Sequence, residues 1–129
     1  MEPTDFVTVM REVAFDSAVH GTLSNLASPP GRQPPDSLVT ASSWFQSLEE
    51  HERTLVGFVV RLAAHATLFN VLTALDGVRA IGDPPHGALR LTYVSPEGTE
   101  ALLNPVGAEL HDELNALVHP AHEPLVADY

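Results

Sequence analysis

LVGFVVRLAAHATLFNVLTAL, spanning residues 55–75, reads as one helix that is apolar on nearly every side. Its strongly polar members, Arg61, His65, Thr67, Asn70 and Thr73, scatter around the helix instead of sharing a face. A helix with no wet side has to be covered. The remainder of the chain is therefore read as its cover. The pattern predicts an α+β fold that is mostly helical, with a long buried central helix, flanking helices and a β-hairpin in the C-terminal half.

Both ends of the long helix carry stop and start signals. Ser47-Leu48-Glu49-Glu50 has the spacing of a capping box, and Glu49, Glu50 and Glu52 lie where the positive end of the helix dipole favours acids. Gly77 supplies the left-handed residue that commonly closes a helix. At about 1.5 Å per residue such a helix reaches about 40 Å, longer than a compact domain of this size is wide. It is expected either to kink near Gly57 or to project into a partner.

Working outward, a first helix is predicted from Thr4 or Asp5 to about Leu26. Phe6, Met10 and Val13 begin a drifting apolar stripe that Phe15, Val19, Leu23 and Leu26 continue. A proline-rich loop over about residues 28–36 follows, and then a short helix from Asp36 or Ser37 to about Gln46. Beyond the long helix, Val78 to Ile81 reads as a short strand. Leu89, Leu91 and Tyr93 then alternate with Arg90, Thr92 and Val94, the two-residue period of a half-buried strand. Ser95-Pro96-Glu97-Gly98 is a turn, and the chain returns through Thr99 to Asn104, which gives a hairpin over about residues 88–104. Asn104-Pro105 has the chemistry of a helix start, with Leu110, Leu114 and Leu117 on the buried side and His119-Pro120 as the stop. A single domain over residues 1–129 accommodates all of these elements.

Composition narrows the function classes. The chain has no cysteine, which removes disulfide frameworks, thiolate zinc sites and cysteine nucleophiles. Its six cations are all arginine, so a Walker-type phosphate loop, Schiff-base chemistry and a lysine base are excluded. Seventeen acids leave a formal charge of −11, which repels phosphate backbones and anionic membranes; neither nucleic acid nor membrane is an expected partner. Arg61 and His65 inside the long apolar run, with no basic or aromatic flank, also argue against a membrane span. The acidic start Met1-Glu2-Pro3-Thr4-Asp5 has no basic n-region, and a cytoplasmic protein is expected.

The segments Leu75-Asp76-Gly77-Val78-Arg79-Ala80-Ile81, Leu102-Leu103-Asn104 and Leu110-His111-Asp112 with Asn115 resemble those of a family of small bacterial proteins of unknown function. The similarity runs from about Trp44-Phe45 onward. It implies a bacterial, cytoplasmic, mostly helical protein with a small β element, and it carries no activity or ligand.

Candidate polar residues follow from position. His65 shares the helical stripe of Leu55, Phe58, Leu62, Phe69 and Leu72; Asp76 continues it, with Arg79 close behind. Together with Arg90 and His111 they form a candidate polar site where the long helix meets the hairpin. A core imidazole, a helix-end cap and a loop-fixing ion pair are the structural alternatives for these residues. His111, Asp112, His119, His122 and Glu123 are metal-ligand types, yet their spacing matches no standard motif, so no metal or other cofactor is assigned. No Gly-x-Ser-x-Gly elbow is present, and no catalytic residue is assigned. The expected function is a non-enzymatic interaction module, homodimeric through its long apolar helix and acidic enough to steer toward a basic protein partner, with an immunity or antitoxin role as one version. The alternative is a small enzyme or ligand-binding protein using Asp76, Arg79, His65, Arg90 or His111.

Overall fold

A computed structural model of the chain describes residues 1–79, 81–82 and 87–126. The first helical run spans α1 (Pro3–Met10), a π-helical turn (Arg11–Asp16) and α2 (Ser17–Ala27). The π turn explains the drift of the apolar stripe. Val7 and Phe15 are both buried although they lie eight positions apart. In an unbroken α-helix that spacing would set them about 80° apart, whereas a turn that absorbs one extra residue brings them within about 20°. Val13, inside the turn, is left facing outward.

Helix α3 (Asp36–Ser47) packs on α2, and two of its side chains close the end of that helix. Ser42 Oγ donates to the Leu26 carbonyl at 2.6 Å and Gln46 Nε2 to the Ala27 carbonyl at 2.8 Å. Carbonyls at a helix C-terminus lack intrahelical donors, so these bonds satisfy groups that would otherwise face the loop unpaired.

The central helix α4 runs uninterrupted from Glu50 to Leu75, through Gly57. Its capping box is built two residues later than the sequence suggested: Glu49 is the cap and Glu52 its reciprocal partner. Leu48 is extended and Ser47 Oγ is spent on the Trp44 carbonyl, so serine cannot cap. At the other end Gly77, with φ of 76°, closes the helix as expected. Its N–H bonds the Ala74 carbonyl and the Val78 N–H the Thr73 carbonyl, the paired bonds of a Schellman end.

Val78, Arg79 and Ile81 are not in a strand, which corrects the expectation for that segment; Ala80 and residues 83–86 lie outside the described residues. The hairpin forms, in shorter pieces than the alternation implied. Strands β1 (Thr92–Val94) and β2 (Glu100–Leu102) pair antiparallel with Tyr93 opposite Ala101. The last helix, α5 (Leu110–Leu117), starts five residues after Pro105. Gly107 and Glu109 both adopt positive φ, which no helix tolerates, and the Asn104 side chain is engaged elsewhere. A 3₁₀ turn (Pro120–His122) follows.

One cluster of buried apolar side chains joins these elements: Val7, Phe15, Val19, Leu23, Phe45, Leu68, Leu72, Leu110, Leu114 and Val118. Helix α2 runs antiparallel to α4, since Leu23, Ser24 and Ala27 line a cavity with Glu50, Arg53 and Thr54 while Phe15 lies beneath Arg61. Helix α5 and the 3₁₀ turn cover α4 on another side. The cover stops there. Within α4 only Gly57, Leu68, Leu72 and Thr73 are buried, and the fully buried helix expected from composition is realised on one side alone.

Candidate functional site

The end of α4 is joined to α5 and to the hairpin by two polar side chains. Asp76 sits at the C-cap of α4, and its carboxylate, 5 % exposed, turns toward the start of α5. Oδ1 accepts the Leu110 N–H at 3.0 Å. Oδ2 accepts the His111 N–H at 3.0 Å and meets His111 Nδ1 at 2.5 Å. The cause is local: Glu109, the nominal cap of α5, is left-handed and makes no side-chain cap bond. Asp76 supplies that cap from a distant part of the chain, and its negative charge lies at the positive end of the α5 dipole.

Asn104 does the same for the hairpin. Its Oδ1 accepts the Leu91 N–H at 2.7 Å, and its Nδ2 donates to the carbonyls of Leu75 at 2.7 Å and Leu89 at 2.9 Å. One amide therefore ties the segment that leads into β1 to the last residue of α4.

A histidine-rich seam runs from this junction along α4. His111 stands edge-on to the Phe69 ring, Phe69 stacks on His65, and His65 faces His119, which stacks on His122 at 3.9 Å. His65 Nε2 bonds Asn115 Oδ1 at 2.8 Å. At the far end Arg61 covers the Phe15 ring and pairs with Glu123 at 2.7 Å, and Glu123 also accepts the His119 N–H. Burial acts to raise the Glu123 carboxyl. The His119 N–H bond, the Arg61 hydrogen bond and charge, and the charge of Arg11 outweigh it, so Glu123 titrates below the ordinary glutamate value.

Of the five candidate residues, the structure brings Asp76 and His111 into direct contact and holds His65 one aromatic ring away. Arg79 is exposed and borders, with Asp76, Asn104 and Pro105, a cavity of about 430 Å³. Arg90 is exposed and does not line that cavity among the described residues. The five do not share one cleft. An Asp-His pair is half of a proton relay, but the carboxylate here spends its other bonds on the α5 backbone, and the free edge of the imidazole faces Asp112 at 3.6 Å. Among the described residues no three histidine or carboxylate side chains converge as ion ligands.

Asn104 and Asn115 lie outside the expected polar site, and so does Glu123, a metal-ligand type in the sequence. Asn115 lies four residues after His111, one helical turn on, and that spacing was a readable signal. The roles of Asn104 and Glu123 depend on contacts 29 and 62 residues away, which no local pattern encodes.

The other distinctive surface is apolar. Met10, Ala14, Ala18 and Thr22 on one wall, with Val60, Ala63, Ala64, Thr67, Leu68 and Val71 on the other, line an open groove of about 490 Å³ between the first helical run and α4. Val71, in that lining, is 51 % exposed, and Val13 and Val59 on the same helical runs are 60 % and 61 % exposed. The mean hydropathy of the most apolar stretch of α4 is 1.7, enough in length and composition for a membrane span, and only 17 % of that stretch is buried. Compared with known proteins, the chain matches no family model, no curated protein and no solved structure. Function therefore has to be read from these two surfaces.

Proposed function

We propose that the chain is a non-enzymatic protein-interaction module. The observation that carries this reading is the contrast between its polar and apolar groups. The polar residues at the α4–α5–hairpin junction are bonded to one another and to backbone, whereas a continuous apolar face on α4 and the first helical run is open. Exposed apolar patches of that extent on a charged protein mark interaction surfaces. Lipid is the less suitable occupant, because Arg61 on α4 is held in an ion pair and the ends of the helix carry Glu49, Glu50, Glu52 and Asp76 in place of basic anchors.

The groove lining carries no charge while the chain as a whole is strongly acidic, so it offers an apolar surface suited to an apolar occupant and an acidic character suited to a basic protein. An antitoxin or immunity protein, which neutralises a basic partner, is one concrete version of this arrangement. A charge of −11 speeds encounter with such a partner at low salt. The test is native capture on a non-histidine tag, repeated with the variant Asp112→Asn/Glu113→Gln. A stoichiometric basic protein that is retained less well by the variant supports the reading. A chain that is monomeric in light scattering and captures nothing refutes it.

A further inference from the structure

The geometry points to a second copy of this chain as the occupant of the α4 groove, related by a twofold axis that passes beside Ala63. This rests on the interaction-module reading and adds the partner and its register. Three observations carry it.

The first is self-complementarity. Leu55, Val59, Ala63 and Ala66 are exposed along α4 and form a ridge, since successive members fall within about 80° of arc. The groove lies immediately beside that ridge, and Ala63 belongs to both. A surface carrying a ridge next to a groove of similar length fits its own copy by twofold rotation, so that each ridge enters the other groove. The α4 helices then run antiparallel past each other, and the small Ala63 side chains stand at the crossing.

The second is charge. None of the side chains that line the groove is ionisable, although Arg11, Glu12 and Asp16 are interleaved with Met10 and Ala14 along the first helical run. His65 is turned to Asn115, away from the groove. Two chains of charge −11 repel over most orientations, and a groove lined only by uncharged side chains is a face on which that repulsion is reduced. The same lack of charge makes it a poor surface for a basic partner, which the acidic remainder would attract.

The third is extent. From Leu55 to Val71 the open part of α4 is about 24 Å long, and two helices side by side are about 20 Å across. The projected patch is therefore about 500 Å² per copy, about 1,000 Å² for the pair before surface relief is added, at the lower bound for a specific interface.

The chain contains no cysteine, so a single introduced one reports only on its own copy. Three measurements on the purified full chain test the proposal. In sedimentation equilibrium the wild type is expected to be a dimer that tightens as salt rises from 50 to 500 mM, because screening relieves the repulsion of the acidic surfaces. Val59→Glu and Val59→Arg are both expected to raise the dimer dissociation constant at least ~100-fold; agreement between opposite charges excludes a net-charge effect. Val59 is exposed, and unchanged circular dichroism and melting at low concentration establish that both variants fold. Under mild oxidation Ala63→Cys is expected to cross-link to itself, whereas Ala116→Cys on the exposed side of α5 stays monomeric on a denaturing gel. A wild-type monomer at ~200 µM overturns the proposal, and so does a dimer that survives both Val59 variants or cross-links through Ala116→Cys. A monomer that still retains a captured basic partner overturns the self-pairing alone. A monomer that captures nothing overturns the interaction-module reading with it.

Discussion

Replacing Asp76 with alanine should destabilise the whole fold, because one carboxylate caps a helix it does not belong to. Three bonds are lost: two from the backbone N–H groups of Leu110 and His111 and one from the His111 ring. The two amides sit at the start of a helix whose own cap residue makes no side-chain bond to them, so among the described residues the Asp76 carboxylate is their side-chain acceptor. Losing a side-chain cap costs about 0.5–2 kcal/mol, and hydrogen bonds to a charged group are worth about 1.5–3 kcal/mol each. The amides at the truncated site gain water in part, and the terms are not additive, so about 3 kcal/mol is the expected total. With an unfolding entropy of about 2.1 cal/mol/K per residue, that corresponds to a fall in melting temperature of about 11 °C for a chain of 129 residues. Asp76→Asn keeps one acceptor oxygen and should lose roughly half as much. The assay is thermal and urea unfolding by circular dichroism, at a concentration where the oligomeric state of all three proteins is matched, together with amide hydrogen exchange at Leu110 and His111. A loss below about 1 kcal/mol in Asp76→Ala, or unchanged protection of those two amides, would refute the capping role.

Asn104→Ala removes the bracket on the hairpin and should speed exchange of the Leu91 amide at least ~10-fold while the amides within α4 keep their protection, as judged by hydrogen exchange followed by NMR. Ser42→Ala leaves the Leu26 carbonyl without its donor and should cost about 1 kcal/mol in urea unfolding. Glu123 is predicted to hold the 3₁₀ turn in an acid-sensitive way. Its carboxyl titrates below its ordinary value of 4.5 in the folded chain, so its contribution is complete above that value and lost as pH falls through the lower folded value. The pair is partly exposed, and the contribution is below about 1 kcal/mol. Glu123→Gln should therefore lower stability at pH 7 slightly and flatten that part of the acid limb; an unaltered pH profile of melting temperature would show that the ion pair contributes nothing.

The parts of this architecture that sequence periodicity revealed are those governed by neighbours in the chain. The α4 helix, its Gly77 end, the α3 boundaries and the Ser95–Gly98 turn all follow from spacing of three or four residues, or from one residue's backbone preference. The failures share a different cause. Asn104-Pro105 has the local chemistry of a helix start, but the Asn104 amide is committed to Leu75, Leu89 and Leu91, and Gly107 with Glu109 delay the helix by their positive φ. The strand expected at Val78 to Ile81 has β-branched residues but no neighbouring strand among the described residues to bond with. Among the expected polar residues, Asp76 and His111 meet because both lie at helix ends. Arg79 and Arg90 are exposed, with no ion-pair partner among the described residues, so neither is drawn into that junction.

The three polar brackets also explain why so short a hairpin and so short a last helix persist. Strands of three residues and a helix of eight are each below the length at which such elements hold in water on their own. Asp76 and Asn104 anchor them to α4, and Arg61–Glu123 holds the turn after α5 to the same helix. Helix α4 is thus the post to which the C-terminal half is fastened, by side chains on one side of its axis. Along the groove on the opposite side the lining residues of α4 are uncharged, and Val59, Ala63 and Val71 are open. If the apolarity of α4 served only the core of one chain, these outward positions would gain nothing from being apolar, and arginine or glutamate would be the better choice for helix formation and solubility. Val59 and Val71 are β-branched, exposed and less suited to an isolated helix than either. The proposed pairing of two copies gives these outward valines a role that the core of one chain does not.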